Sequence, residues 1–224
     1  MSRSPQPAVG LLRELEDVFT EHEPLRIRFA PKELISQAGS YAAGIYLVTS
    51  GIVHESYAET ANPKHEVSTG RLGPSSLIGS ELLLPDGLQL HRVTCRAVTE
   101  VSLSFLERSA FEAAAEAHGV LRRFLAAHLA ERSQNLIRAV WRSQLKSVER
   151  VSALLRDLAP FGEPTADGRT ALPAEIDLRR LADLSYVSYR KMKQACEALP
   201  CIEWDGSRFV LSPEELDDRW SQGF

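Results

Sequence analysis

The 224-residue chain predicts an α+β fold: an N-terminal β roll, a long helix, and a C-terminal helix-turn-helix with a hairpin wing. Three observations carry this. Short apolar or alternating runs separated by turn residues fill residues 25–105. Between residues 107 and 158 there is no Pro and, apart from Gly119, no Gly, while apolar residues recur at helical spacing. Residues 175–212 then read as two short helices and an Asp-Gly hairpin.

Composition permits such a fold and removes several functions. The chain is 44% hydrophobic, 25% charged and 7% aromatic, close to folded soluble proteins in general. Mean hydropathy is −0.17, no apolar run approaches the roughly 18 residues of a membrane span, and Met1–Gly10 holds no apolar leader core. A cytoplasmic protein is expected, with no membrane partner. Cys95, Cys196 and Cys201 are few, odd in number and lack CxxC spacing, which argues against a disulfide framework or a zinc knuckle. The net charge is −4, and residues 149–224 hold 14 acidic against 10 basic residues. A nucleic-acid site on this chain must be a local basic surface on an acidic background.

The elements follow in order. LLRELEDVF, residues 11–19, is apolar at Leu11, Leu12, Leu15, Val18 and Phe19 and reads as an amphipathic helix leading into the roll. The roll segments are LRIRFA, ELIS, GIYLVTSGIVHESYA, HEVSTGRL, SSLIGSELLL, QLHRVTCRA and EVSLSFL, punctuated by Gly39, Gly51, Gly73, Gly79 and Pro85-Asp86-Gly87. LRIRF and VSLSF alternate strictly, which places one face on a core and one in water. The roll domain is expected over residues 1–117. Residues 118–146 form a helix about 43 Å long at 1.5 Å per residue. Its apolar residues Leu121, Phe124, Leu125, Leu129, Leu136, Ile137, Val140, Trp141 and Leu145 spread around much of the circumference. Such a helix must be covered on more than one side, most simply by its own roll and by a second copy of the chain.

The last domain, residues 147–224, opens with a helix over 147–158 and a loop and hairpin over 160–173. Asp177 is the expected N-cap of the next helix, with Leu178, Leu181, Ala182 and Leu184 on its apolar face. Ser185–Val187 make a tight turn, and Ser188 opens a second helix running to about Leu199. On that helix Met192, Ala195, Cys196 and Leu199 share one face, while Arg190 and Gln194 lie opposite, flanked by Lys191 and Lys193. Arg and Gln side chains match base edges in a major groove, and Lys191, Lys193, Arg179 and Arg180 supply phosphate contacts. With Ser188 and Tyr189 at the helix start, and Arg208 on a wing turning at Asp205-Gly206, these form the candidate DNA-contact set.

At this point the sequence resembles the cyclic-AMP receptor protein and fumarate-nitrate regulator (CRP/FNR) family of bacterial transcription factors. PKELISQAGSYAAGIYLVTSGIV is similar to the family's first roll strands, LGPSSLIGSELLLPDG to the segment leading into its phosphate-binding cassette, and IDLRRLADLSYVSYRKMKQACEAL to its helix-turn-helix. The resemblance implies a cyclic-nucleotide-binding-like jelly roll, a dimerisation helix, a winged helix-turn-helix, a palindromic DNA operator, and RNA polymerase as a partner. It implies no enzyme activity.

Departures from the family pattern shape the effector expectation. Nucleotide-binding members use a Gly-Glu-Leu segment for the ribose and an Arg-Ser pair for the cyclic phosphate. Here the first reads Gly79-Ser80-Glu81-Leu82, leaving Glu81 one residue displaced, and the second falls on His91 and Arg92. An Arg one position along a strand points to the opposite face. The base-contacting pair falls on Asn135 and Leu136, so half of it is apolar. Cyclic AMP is therefore disfavoured, as is the iron-sulfur cluster of members with N-terminal cysteines, since the first cysteine here is Cys95. No cofactor is predicted, although His91, Cys95, His22, His54, His65, His118 and His128 offer haem ligands, which leaves a ligand-responsive haem or gas sensor as the alternative. Where cousins read a TGTGA half-site the position of Arg190 is acidic, so a different operator is implied. Two other classes compete. A cupin-like enzyme needs tightly spaced ligands such as HxH, which do not occur; a module binding protein instead of DNA is separated by the role of Arg190.

Overall fold

The computed structural model describes residues 9–59, 62–83, 89–212 and 214–216, and the chain divides into two compact units, Met1–Ile137 and Arg138–Phe224.

In the first unit α1 (Val9–Glu21) precedes two four-stranded antiparallel sheets. One runs in the order β1 (Leu25–Phe29), β8 (Val101–Glu107), β3 (Gly44–Ser50), β6 (Leu77–Ile78). The other runs β2 (Leu34–Ser36), β7 (Thr94–Ala97), β4 (Val53–Glu59), β5 (Asn62–Leu72). The turn Pro85-Asp86-Gly87 lies outside the described residues. Two helices follow, α2 (Arg108–Ala117) and α3 (Gly119–Ser143), of which α3 belongs to this unit as far as Ile137.

The expectation of one wet face holds for the edge strand β1, where Arg26 and Arg28 are exposed, and fails for β8, where Ser104 is buried. The reason is that the first sheet is covered on both sides. Val48, Ile78, Val101 and Leu103 pack against Val53, Leu72, Cys95 and Ala97 of the second sheet. Ile45, Leu47, Leu77 and Leu106 pack instead on Leu15, Val18, Phe19, Phe111, Leu121 and Phe124 of the helices. A strand such as GIYLV, apolar on consecutive positions, suits burial on both faces. Across β3 and β8, Tyr46 stands opposite Phe105 with ring centroids 4.8 Å apart.

In the second unit α4 (Ser147–Leu158) begins where expected, its Glu149 carboxylate accepting from the Lys146 N–H at 2.9 Å. β9 (Glu163–Pro164) and β10 (Thr170–Ala171) form the first hairpin. α5 (Leu178–Ser185), α6 (Tyr189–Ala198) and the strands β11 (Ile202–Trp204) and β12 (Phe209–Leu211) complete a helix-turn-helix followed by a hairpin. Its core is Val151, Leu155, Leu158, Ile176, Leu181, Met192, Ala195 and Leu211, all fully buried.

Candidate nucleic-acid interface and effector site

Local chemistry sets the helix pair. The Asp177 carboxylate accepts from the Arg180 N–H at 2.7 Å and starts α5. Ser185, expected in the turn, is instead the last residue of α5, buried, its hydroxyl donating to the Leu181 carbonyl at 2.7 Å. The reversal is made by Tyr186, a left-handed C-cap at φ 55°. Ser188 then caps α6, its Oγ accepting from the Lys191 N–H at 3.4 Å. Met192, Ala195 and Leu199 are buried behind the helix, with Cys196 half-buried beside them. Tyr189, Arg190, Lys191, Lys193 and Gln194 are exposed in front, and Arg179 is exposed while Arg180 is half-buried. The polar and cationic side chains of α6, together with Arg179, are thus open to solvent.

The wing differs by one residue from its expected form. Trp204 pairs with Phe209 and the Asp205 N–H donates to the Arg208 carbonyl at 3.1 Å, so the two-residue turn is Gly206-Ser207. Gly206 has φ +100°, the conformation required at the first central position of a type II′ turn. The Asp205 carboxylate closes it by accepting from the N–H groups of Ser207 and Arg208, both at 2.8 Å, which holds its carboxyl below the usual range. The Arg208 guanidinium donates to Glu163 at 2.9 Å and lies 3.7 Å from Asp205, so its charge is already shared. Sequence inspection passed over Trp204. It is half-exposed and, with Asp177, Leu178, Arg179, Tyr189 and Phe209, lines an open cleft of about 330 Å³. An aromatic on a strand otherwise carrying charge was the available signal.

In the roll, Gly79 has φ +88°, and a Cβ there would lie 2.8 Å from the Gly44 carbonyl oxygen. That close turn delivers a 3-10 turn, Ser80–Leu83, with Ser80 and Leu82 buried. Glu81 is not left free for a ribose. Its Oε1 lies 3.3 Å from His91 Nδ1 and accepts from the Arg92 N–H at 3.3 Å, while Oε2 is buried with no hydrogen-bond partner among the described residues. Burial pushes the Glu81 carboxyl up, but the His91 hydrogen bond and the Arg132 charge outweigh it and hold it below the usual range. His91 and Arg92 lie in the bend ahead of β7 and not in the strand expected for them; His91 is buried there and Arg92 exposed. Asn135 approaches Gly70 of β5, whereas Leu136 is exposed.

Two further charged residues occupy this interior. Arg132 Nη2, from α3, lies 2.7 Å from Glu55 Oε1 on β4, and Arg132 Nη1 donates to Ser80 Oγ at 3.4 Å. Thr69 donates to the other Glu55 oxygen at 2.8 Å, and His128 Nε2 lies 3.5 Å from Ser80 Oγ. Burial pushes Glu55 up, and Arg132 and Thr69 pull it back only in part. Burial, aided by Arg132, pushes His128 down to about 4. By the same physics burial raises the Cys95 thiol and raises the Cys196 thiol to about 11, which disfavours the thiolate at both. Among the described residues no group of three or more His, Cys, Asp or Glu is arranged to hold a metal, and no helix is long and apolar enough to cross a membrane.

Residues 26–118 match the family model of the cyclic nucleotide-binding domain. No curated protein sequence matches the chain. Among solved structures, FixK2 from Bradyrhizobium japonicum superposes with a TM-score of 0.68 at 19% identity, covering 87% of this chain and 96% of its own. The c-di-GMP responsive global regulator CLP of Xanthomonas campestris gives 0.69 at 20%, covering 89% and 98%. A CRP/FNR family transcriptional regulator from Thermus thermophilus gives 0.62 at 18%, covering 87% and 97%. Identities at this level speak to the fold. Residues 26–118 are therefore similar to cyclic nucleotide-binding domains, in a chain that shares its fold with solved CRP/FNR transcriptional regulators.

Proposed function

We propose that the chain is a homodimeric, sequence-specific DNA-binding transcription regulator that works without cyclic AMP and without a resident cofactor. The carrying observation is α6: a helix capped by Ser188, backed by buried Met192, Ala195 and Leu199, and presenting Arg190, Lys191, Lys193 and Gln194 to solvent. On an acidic chain, that surface is a local cation cluster of the kind a major groove accepts. Arg190 and Gln194 read bases; Lys191, Lys193 and Arg179 position the helix on phosphates. Leu129, Leu136 and Ile137 on α3 are exposed, and Val140 is exposed on the next turn, which supports a second copy packed along this helix. RNA polymerase is the further partner that this reading implies. Independence from cyclic AMP is supported by charge: the roll interior holds the carboxylate of Glu55 against Arg132 and that of Glu81 against His91, an unfavourable setting for a cyclic phosphate.

The test is selection from random duplexes with the full chain. The expected product is a palindrome whose half-sites lie about 34 Å apart, with affinity falling steeply as salt rises. Failure to enrich any duplex overturns the proposal.

A further inference from the structure

We propose that Arg132 is a positioning residue: paired with Glu55 inside the roll, it takes the place of an effector and holds α3 in its DNA-competent orientation. This rests on the DNA-binding reading above. Arg132 joins three parts of the first unit. Its Nη2 reaches Glu55 on β4 at 2.7 Å, its Nη1 reaches Ser80 ahead of Glu81 at 3.4 Å, and its backbone belongs to α3. Thr69 of β5 holds the second Glu55 oxygen at 2.8 Å, so the acceptor is itself fixed.

A buried ion pair is a poor device for stability alone, because an apolar pair of similar volume does as well, whereas losing one partner strands a charge. What the pair supplies is direction. A guanidinium is a planar fork whose Nη2 here pairs with Glu55 as an ion pair while its Nη1 donates to Ser80 Oγ, two separate contacts that a single Lys ammonium does not span. Leu129 lies one turn before Arg132 and Leu136 one turn after it, both exposed. Fixing the rotation of α3 at Arg132 therefore fixes the direction in which these leucines face. The same pair excludes anions, since a phosphate drawing Arg132 away would leave the Glu55 carboxylate buried without its counter-charge.

The experiment compares the full chain with Arg132→Leu, Glu55→Gln, Arg132→Lys and the double variant Glu55→Leu/Arg132→Met. Duplex affinity is measured on the site selected with the unmodified protein, and amide exchange is followed along the chain. Arg132→Leu and Glu55→Gln are expected to weaken the duplex tenfold or more and to speed exchange over 125–137, leaving β1 and β8 unchanged. Arg132→Lys should lose less. The double variant, with no stranded charge, keeps the fold yet should bind the duplex as weakly as Arg132→Leu. A double variant that melts like the unmodified chain and binds DNA equally well overturns the proposal. If the unmodified protein binds no duplex, the DNA-binding reading fails by itself, and the exchange experiment still decides: unchanged exchange over 125–137 in Arg132→Leu overturns the anchor, and faster exchange confined there upholds it.

Discussion

The Arg208 guanidinium donates to the Glu163 carboxylate at 2.9 Å, joining the tip of the second hairpin to the edge strand of the same sheet. From its place on the hairpin Arg208 qualifies as a phosphate contact, but two carboxylates already share its charge. Exposed pairs of this kind are worth about 0–1 kcal/mol, so their loss perturbs the fold little. Arg208→Ala should change duplex affinity less than about twofold and leave the salt dependence intact, whereas Lys191→Ala should lower the salt slope by about one. A loss of one slope unit with Arg208→Ala would show that the pair opens on DNA.

Within α6 the substitutions should differ in kind. Arg190 is exposed at the start of the helix, while Lys193 lies 3.9 Å from Glu197 in a solvated pair. Arg190→Ala should cost about 1–3 kcal/mol and relax preference at one base pair. Lys193→Ala should weaken all duplexes alike. Selection repeated with each variant separates the two, and a uniform loss for Arg190→Ala would assign it to the backbone.

What the sequence disclosed was local. Asp177 and Ser188 could be named as caps because a short polar side chain before an apolar periodic run has one favourable use. The hidden features were pairings made by topology. Glu55 lies in an alternating strand and Arg132 in a helix rich in charge, and nothing in either segment points to the other. Their contact appears only when α3 folds against the roll. Equally, Arg208 and Glu163 meet because β12 and β9 flank β10. The wing turn moved one residue because the Asp205 side chain captured the two N–H groups ahead of it, a competition that Asp-Gly alone does not reveal.

Dimerisation can now be probed at positions chosen by burial. Leu125 packs on the apolar core between the roll and its helices, so a charge there would damage the fold. Leu136 and Ile137 are exposed, the latter 70%, and contribute to neither buried cluster. Leu136→Glu/Ile137→Glu should therefore leave the melting of the roll unchanged and give a monomer in sedimentation, with duplex affinity falling at least tenfold as one half-site is lost. A dimer that persists places the interface elsewhere.

His128 is expected to set a pH limit on the roll. It is buried on α3, stacked on Phe124 with centroids 5.9 Å apart, faces Ser80, and shares its surroundings with Arg132 and Glu81. Burial and the Arg132 charge lower its pKa from 6.5 to about 4, with Glu81 opposing. The folded value lies below the unfolded one, so as pH falls the unfolded chain takes up the proton first. Stability is complete above about pH 6.5 and is lost progressively down to about pH 4, by roughly 3 kcal/mol for a shift of this size. Glu81 adds its own loss only further down, since its carboxyl is held below the ordinary value of 4.5. His128→Gln, which cannot titrate, should flatten the decline between pH 6.5 and 4.5 in urea unfolding of the roll while leaving the steeper fall below it. If the two proteins show the same slope across that window, His128 takes up its proton in the folded state and the buried cluster is open to water.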